Sequence, residues 1–123
     1  PLAVRNMKNR IAAFKHAFNG VVCFFKETPH AKIQALAAVL VVLAGFFLNI
    51  STTEWAIVLL CFALIFSLEA LNSAVEYLVD LVSPNYHQLA KKAKDVAAAA
   101  VLMAAVFTVI IACLIFVPKI IAL

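Results

Sequence analysis

The sequence predicts an all-α membrane protein in which an N-terminal amphipathic surface helix precedes three transmembrane helices. Three observations support this prediction. Of the 123 residues, 67% are hydrophobic and 13% are charged, a composition that water-soluble domains rarely have. Three apolar segments are long enough to cross a bilayer, and the basic residues concentrate in the segments next to them. We expect residues 1–123 to form one integral membrane domain.

The surface helix is predicted at about residues 7–28. Apolar side chains recur there at helical intervals, from Met7 and Ile11 through Phe14 to Phe25, and basic residues occupy the other faces. This pattern is typical of a helix that lies in the membrane interface. A basic anchor that only holds the chain to anionic lipid explains the same periodicity equally well.

The membrane helices are predicted at residues 33–48, 55–82 and 84–117. The polar turn at residues 49–54 supplies serine and threonine side chains that can cap the second membrane helix, and Trp55 suits an interfacial anchor. Ser83 and Pro84 suit the N-cap and the first residue of the third membrane helix. Small residues at 93–105 permit close helix contact, which predicts self-association of unspecified stoichiometry.

The positions of lysine and arginine predict the orientation. Six of these ten residues precede the first apolar segment, and three more, Lys91, Lys92 and Lys94, lie between the last two segments. Because basic loops stay in the cytoplasm, we expect the N-terminus inside and the C-terminus outside. This placement accounts for the net charge of +4 without a nucleic-acid partner, and we expect none.

One face of the second membrane helix carries the residues that we call the polar stripe, namely Glu69, Asn72, Glu76 and Asp80. At about 3.6 residues per turn they fall within about one quadrant of the helix. With a rise of about 1.5 Å per residue, Glu69 lies about 21 Å and Asp80 about 37 Å below Trp55. The stripe therefore runs from the inner leaflet into the cytoplasm. Each carboxylate at membrane depth needs a protein partner, a cavity or a cation.

Two interpretations of the polar stripe are open. In the structural one, Glu76 and Asp80 pair with the loop lysines and lock the helices together. In the functional one, the carboxylates hold Mg²⁺ together with substrate phosphates, and Glu69 is the general base for a lipid hydroxyl. Lys94 then binds phosphate as a point charge. With only two glycines, the chain cannot contain a glycine-rich phosphate loop.

These segments resemble the prokaryotic diacylglycerol kinase and undecaprenol kinase family. The resemblance rests on the E-x-x-N-x-x-x-E-x-x-x-D spacing of residues 69–80, on Ser83-Pro84-Asn85-Tyr86-His87, and on Ala93-Lys94-Asp95-Val96-Ala97-Ala98. It extends over nearly the whole chain. The segment at residues 80–84, the run at residues 93–98 and the Phe116-Val117-Pro118-Lys119 ending look more similar to the undecaprenol kinase branch.

The resemblance implies a homotrimeric kinase of the bacterial cytoplasmic (inner) membrane that transfers the γ-phosphate of MgATP to a lipid alcohol. The acceptor is undecaprenol or, as the alternative, diacylglycerol. By position, Glu69 and Asn72 are catalytic, and Glu27 and Glu76 bind Mg²⁺. The resemblance assigns ATP binding to Arg10, His16, Asp80, Asn85, Tyr86, His87, Lys94 and Asp95.

Three positions in the N-terminal segment depart from the family pattern. Glu27 stands one residue further from the following basic residue, Lys32, than the family's metal-binding glutamate does. Arg10 matches the family's adenine-end arginine only after a one-residue shift, and His16 replaces a tyrosine found in some members. The surface helix therefore matches the family less closely than the second membrane helix does.

Two functions from other classes use fewer of these residues. A small proton-coupled transporter would use Glu69 as its titrating carboxylate, but it leaves Glu76, Asp80 and Lys94 without a role. A structural membrane subunit held by the small-residue face predicts that neutralising the carboxylates preserves function.

Overall fold

The computed structural model describes residues 2–123 and contains four α-helices and no strand in that range. They are α1 (Leu2–Glu27), α2 (Pro29–Phe47), α3 (Thr52–Val82) and α4 (Gln88–Ile121). By length and apolar composition, α2, α3 and α4 can each cross a membrane. The predicted all-α membrane architecture is therefore confirmed.

Most large apolar side chains lie on the outside of the chain. Residues 2–23 of α1 are exposed throughout, and so are long apolar faces of α2, α3 and α4. The buried hydrophobic residues of the described range are Phe24, Ala31, Ile50, Val58, Cys61, Ala104 and Ile115. A water-soluble domain of this length buries a larger core, so the exposed faces are suited to lipid or to other protein surfaces in the membrane.

The turn between α2 and α3 is closed by two capping motifs. The N–H of Ile50 donates to the carbonyl of Gly45 over 3.1 Å, the outer bond of a Schellman motif. Asn49 adopts the left-handed conformation that this motif needs, with φ at 54°, and asparagine tolerates it better than most residues do. Ser51 then begins α3 in a capping box with Glu54. The predicted capping by a side chain of the polar turn is confirmed for Ser51, but the predicted helix start at residue 55 was wrong, because Thr52, Thr53 and Glu54 already form the first turn of α3.

The same end of the molecule joins three helices. A Cβ atom on Gly45 would lie 2.6 Å from Cη2 of Trp55, so the absence of a side chain lets the indole pack directly on α2. The Nζ of Lys119 near the end of α4 lies 3.3 Å from the carboxylate of Glu54 at the start of α3. Trp55, predicted as an interfacial anchor, packs on Gly45 of α2.

We expect Gly45→Ala to destabilise the protein, because the new methyl group cannot coexist with the present position of the Trp55 ring. Overpacking of this kind costs roughly 1–3 kcal/mol. The midpoint of thermal unfolding in detergent measures the effect. Gly20→Ala is the matched control, since a Cβ atom there meets nothing within 4 Å. Equal midpoints for the two variants would contradict the argument.

The beginning of α4 differs from the prediction. Its N-cap is His87, whose Nδ1 accepts a hydrogen bond from the backbone N–H of Leu89 over 3.0 Å. The prediction that Ser83 caps a helix starting at residue 84 was wrong. Ser83 is the C-cap of α3, and its hydroxyl donates to the carbonyl of Asn85 over 2.8 Å. The Ser83 hydroxyl makes its hydrogen bond within the connecting turn, so it does not cap α4. The helix α4 begins after this turn.

The end of α4 also differs. The helix continues to Ile121 and contains Pro118, whereas the prediction ended it at residue 117. Proline in a helix interior removes one backbone hydrogen bond and usually kinks or breaks the helix, but α4 continues for three residues beyond Pro118. The ion pair between Lys119 and Glu54 holds this last turn against α3.

Candidate active site

The C-terminal end of α1 is attached to α3. Phe24 is buried, and the ring centroids of Phe25 and Phe66 are 5.8 Å apart. The hydroxyl of Tyr77 donates to the Glu27 carboxylate over 2.6 Å. These contacts place Glu27, the predicted metal ligand of the surface helix, beside the part of α3 that carries Glu76.

Glu69 lies in the interior between α2 and α3. It is 7% exposed, and apart from Ser73 it is the only buried polar or charged residue in the described range. Its Oε1 accepts a hydrogen bond from Nε2 of Gln34 on α2 over 2.8 Å. The hydroxyls of Ser73 and Thr28 lie 3.2 Å apart, one turn further along α3. Glu69 therefore has the protein partner that a carboxylate at membrane depth requires.

Asn72 and Glu76 form the middle of the polar stripe. The Asn72 amide donates a long hydrogen bond of 3.4 Å to Oε1 of Glu76, and Glu76 itself is exposed. The amide oxygen of Asn72 is buried and accepts no hydrogen bond from residues 2–123. An exposed carboxylate beside a free amide oxygen is a donor set that suits a hard cation such as Mg²⁺.

Within residues 2–123, no three His, Cys, Asp or Glu side chains converge on one point. A cation at this place would therefore have at most two of these side chains as ligands. Mg²⁺ is usually held in this way, with substrate phosphates and water completing its coordination.

Charged residues at the α3–α4 connection form two ion pairs. Lys94 Nζ lies 2.5 Å from the Asp80 carboxylate, and Lys91 Nζ lies 2.7 Å from the Asp95 carboxylate. The side chains of Lys94 and Asp80 are 41% and 65% exposed. Exposed ion pairs contribute little to stability, so stability alone does not explain why these charges lie together. Glu76 forms no ion pair within the described chain.

The residues assigned to ATP binding fall into two groups. Six of them lie on or near the α3–α4 connection: Asp80, Asn85, Tyr86, His87, Lys94 and Asp95. The other two, Arg10 and His16, lie on the exposed part of α1 and make no side-chain hydrogen bond or ion pair with residues 2–123. The structure of the single chain does not bring these two groups together.

Two residues at this site were missed by the sequence reasoning, namely Gln34 and Tyr77. Gln34 is the one polar residue inside the apolar segment at residues 33–48, and that isolation could have drawn attention to it. Tyr77 directly follows Glu76, but nothing in the local sequence indicates that it meets Glu27, which is fifty positions away.

The Tyr77 hydroxyl lowers the pKa of Glu27 by hydrogen-bonding its ionised form. A carboxyl whose pKa is lowered on folding stabilises the fold above its unfolded pKa. This contribution is lost as the pH falls through the lowered value. The contact between α1 and α3 is therefore complete at neutral pH and weakens in acid.

We expect Tyr77→Phe to loosen the end of α1, because the Glu27 carboxylate loses the hydrogen bond from the Tyr77 hydroxyl. Hydrogen exchange of the backbone amides at residues 20–27 should accelerate several-fold at neutral pH, as expected for a local opening. Tyr86→Phe is the matched control, since the Tyr86 side chain is 81% exposed and makes no hydrogen bond within residues 2–123. Unchanged exchange in Tyr77→Phe would show that the aromatic contacts alone hold α1.

Comparison with known proteins assigns the chain to a family. The family profile described as prokaryotic diacylglycerol kinase matches residues 15–116. An undecaprenol kinase of Bacillus subtilis is 43% identical over 116 residues, or 94% of each chain. A diacylglycerol kinase of Synechocystis is 37% identical over 94% of this chain and 66% of its own length. One from Escherichia coli K12 is 33% identical over 85% of each chain.

The matched residues include α2 and α3 entirely, and with them the whole polar stripe. The lipid-kinase resemblance predicted from this stripe is confirmed, and the chain belongs to the prokaryotic diacylglycerol kinase family.

Proposed function

We propose that this protein transfers the γ-phosphate of ATP to the hydroxyl of undecaprenol at the cytoplasmic face of a bacterial membrane. The observation that carries this proposal is the 43% identity with a protein named undecaprenol kinase, over 94% of both chains. Diacylglycerol is the second candidate, because relatives named diacylglycerol kinase are 32–37% identical. Both lipids present a primary hydroxyl, so the same catalytic residues serve either one.

In the proposed reaction, the oxygen of the lipid hydroxyl forms a bond to the γ-phosphorus. The bond between that phosphorus and the bridging oxygen of ADP breaks, and ADP leaves with the electron pair. Glu69 takes the hydroxyl proton as general base. Its burial between α2 and α3 supports this role, since it keeps the carboxylate away from bulk water.

We assign Mg²⁺ binding to Glu76 and Glu27, with the amide oxygen of Asn72 as a further donor. When bound, the cation neutralises charge on the phosphates of ATP. Lys94 adds a positive charge at the cytoplasmic end of the stripe, where it also contacts Asp80. Positioning and charge neutralisation are the main contributions in phosphoryl transfer, and this set of residues supplies both.

We further propose that the chain works as a homotrimer in the bacterial inner membrane. The distribution of basic residues supports an N-terminus in the cytoplasm and a C-terminus outside. Two features support self-association: the exposed apolar length of α1, and the separation of Arg10 and His16 from the other nucleotide residues. Neighbouring protomers could bring the two groups of ATP-binding residues together.

A competition assay tests the proposed function. The purified protein is placed in lipid nanodiscs with equal amounts of undecaprenol and diacylglycerol, Mg²⁺ and ATP labelled at the γ-phosphate, and the labelled lipids are separated. We expect undecaprenyl phosphate as the main product. Phosphatidate alone would reverse the choice of substrate, and no labelled lipid would overturn the kinase proposal. The transporter alternative predicts pH-driven solute flux without ATP consumption.

A further inference from the structure

We propose that Gln34 is a positioning residue for Glu69. In this role its amide N–H holds one oxygen of the carboxylate, so that the other oxygen is free to take the proton of the lipid hydroxyl. The inference rests on the proposed function and adds to it a residue from a different helix.

The contact joins two membrane helices. Gln34 lies in the second turn of α2, and Glu69 lies near the middle of α3. Nε2 of Gln34 is 2.8 Å from Oε1 of Glu69 in a partly buried setting. Gln34 is the side chain of residues 2–123 that hydrogen-bonds to Glu69, so the orientation of the carboxylate depends on it.

The amide of Gln34 is oriented by Glu69 as well. Its oxygen is buried and accepts no hydrogen bond from residues 2–123. An ionised carboxylate can only accept hydrogen bonds, and an amide donates through its nitrogen alone. The Gln34 nitrogen faces the Glu69 carboxylate, so Gln34 is the donor of this pair.

An amide is chemically suited to this position. A lysine would form an ion pair with Glu69 and compete with the proton that the base must accept, and an aliphatic side chain would leave the carboxylate free to change rotamer. A glutamine restrains the carboxylate without adding charge. Because the bond comes from α2, the packing of two helices fixes the position of the base, as precise catalytic sites require.

Two variants of Gln34 test the role. Gln34→Leu removes the donor and keeps a similar size, whereas Gln34→His keeps an N–H donor of similar reach. We expect Gln34→Leu to lower kcat for lipid phosphorylation by about 10–100-fold, the cost of a small misplacement at a reacting centre. The KM for MgATP should stay within about twofold of the wild-type value, because the substitution should not change how the ground state binds the nucleotide. Gln34→His should recover most of the lost kcat.

A double-mutant cycle separates positioning from a general structural effect. In a Glu69→Gln background the carboxylate is absent, so adding Gln34→Leu should change the residual rate less than about twofold. Gln88→Leu is the matched control. It makes the same substitution at the other glutamine of the chain, which is exposed at the start of α4, and it should leave kcat unchanged.

Several results would overturn the inference. The first is a kcat for Gln34→Leu close to that of the wild type. The second is an equally large further loss of rate when Gln34→Leu is added in the Glu69→Gln background. The third is a folded Gln34→His variant as impaired as Gln34→Leu. If Gln34→Leu does not fold, the Gln34→His variant tests the inference. Retention of most of kcat in that variant supports the positioning role of Gln34. A wild type that labels neither lipid removes the proposed function and this inference together. An active wild type with a fully active Gln34→Leu removes only the inference.

Discussion

Glu69→Gln is expected to lower turnover by about two to four orders of magnitude, the range in which general bases contribute. Glutamine has nearly the same shape as glutamate, so the site between α2 and α3 should keep its packing. Its amide cannot accept the proton of the lipid hydroxyl. The distance of Glu69 from the α3–α4 connection, about 16 Å to Asp80 along the helix axis, leaves the nucleotide contacts intact. MgATP affinity should therefore be largely unchanged.

The measurements are kcat for lipid phosphorylation and the Kd for MgATP by titration calorimetry. Glu54→Gln is the matched control, because Glu54 lies at the opposite end of α3 and pairs with Lys119, far from the polar stripe. It should retain full turnover. Unchanged turnover in Glu69→Gln would remove the assignment of Glu69 as base, and equal losses in both variants would point to a folding defect.

Glu76→Gln is expected to weaken nucleotide binding in the presence of Mg²⁺. A carboxylate that ligates the cation contributes charge as well as an oxygen, and the neutral amide supplies only the oxygen. We expect the Kd for ATP with Mg²⁺ present to rise by about 10–100-fold, the scale typical of losses around a metal site. Without Mg²⁺ the wild type and the variant should bind ATP equally weakly.

Titrations with ATP in the presence of Mg²⁺ and in the presence of a chelator separate the two contributions. Glu54→Gln again serves as control and should bind MgATP like the wild type. If Glu76→Gln changes the Kd by the same factor with and without Mg²⁺, Glu76 contacts the nucleotide and does not hold the cation.

The attachment of α1 affects how both results are interpreted. Residues 2–23 are exposed, and the contacts with α3 are made by the C-terminal end of the helix through Phe24, Phe25 and Glu27. Glu27 thus reaches the site through the α1–α3 contact, whereas Glu76 belongs to α3 itself. A substitution of Glu27 therefore affects both the proposed metal site and the Tyr77 contact, whereas Glu76→Gln leaves the Tyr77 contact in place.

Much of the architecture could be predicted from local pattern. Three apolar segments of this length predict membrane helices, because backbone groups in lipid must satisfy one another. The polar stripe could be identified because residues spaced by three and four positions share one helix face. The capping box at Ser51 and Glu54 is likewise a local signal, and the structure contains it.

The connection between α3 and α4 could not be predicted in the same way. Ser83-Pro84 is a good helix start by propensity, and yet His87 caps α4. Two capping solutions of similar local energy compete within five residues. Propensity is a weak guide to such a choice, because each cap is worth only about 1 kcal/mol.

The amino-acid sequence by itself determined the number of helices that are long and apolar enough to cross a membrane, and the face of α3 that carries the acidic residues, because both follow from periodicity and side-chain type. The kinase activity was predicted from the resemblance to a known family. Only the tertiary structure decided which side chains hold those residues. Gln34 meets Glu69 across 35 positions and Tyr77 meets Glu27 across 50, and such pairs arise from the packing of separate helices, which local sequence does not encode.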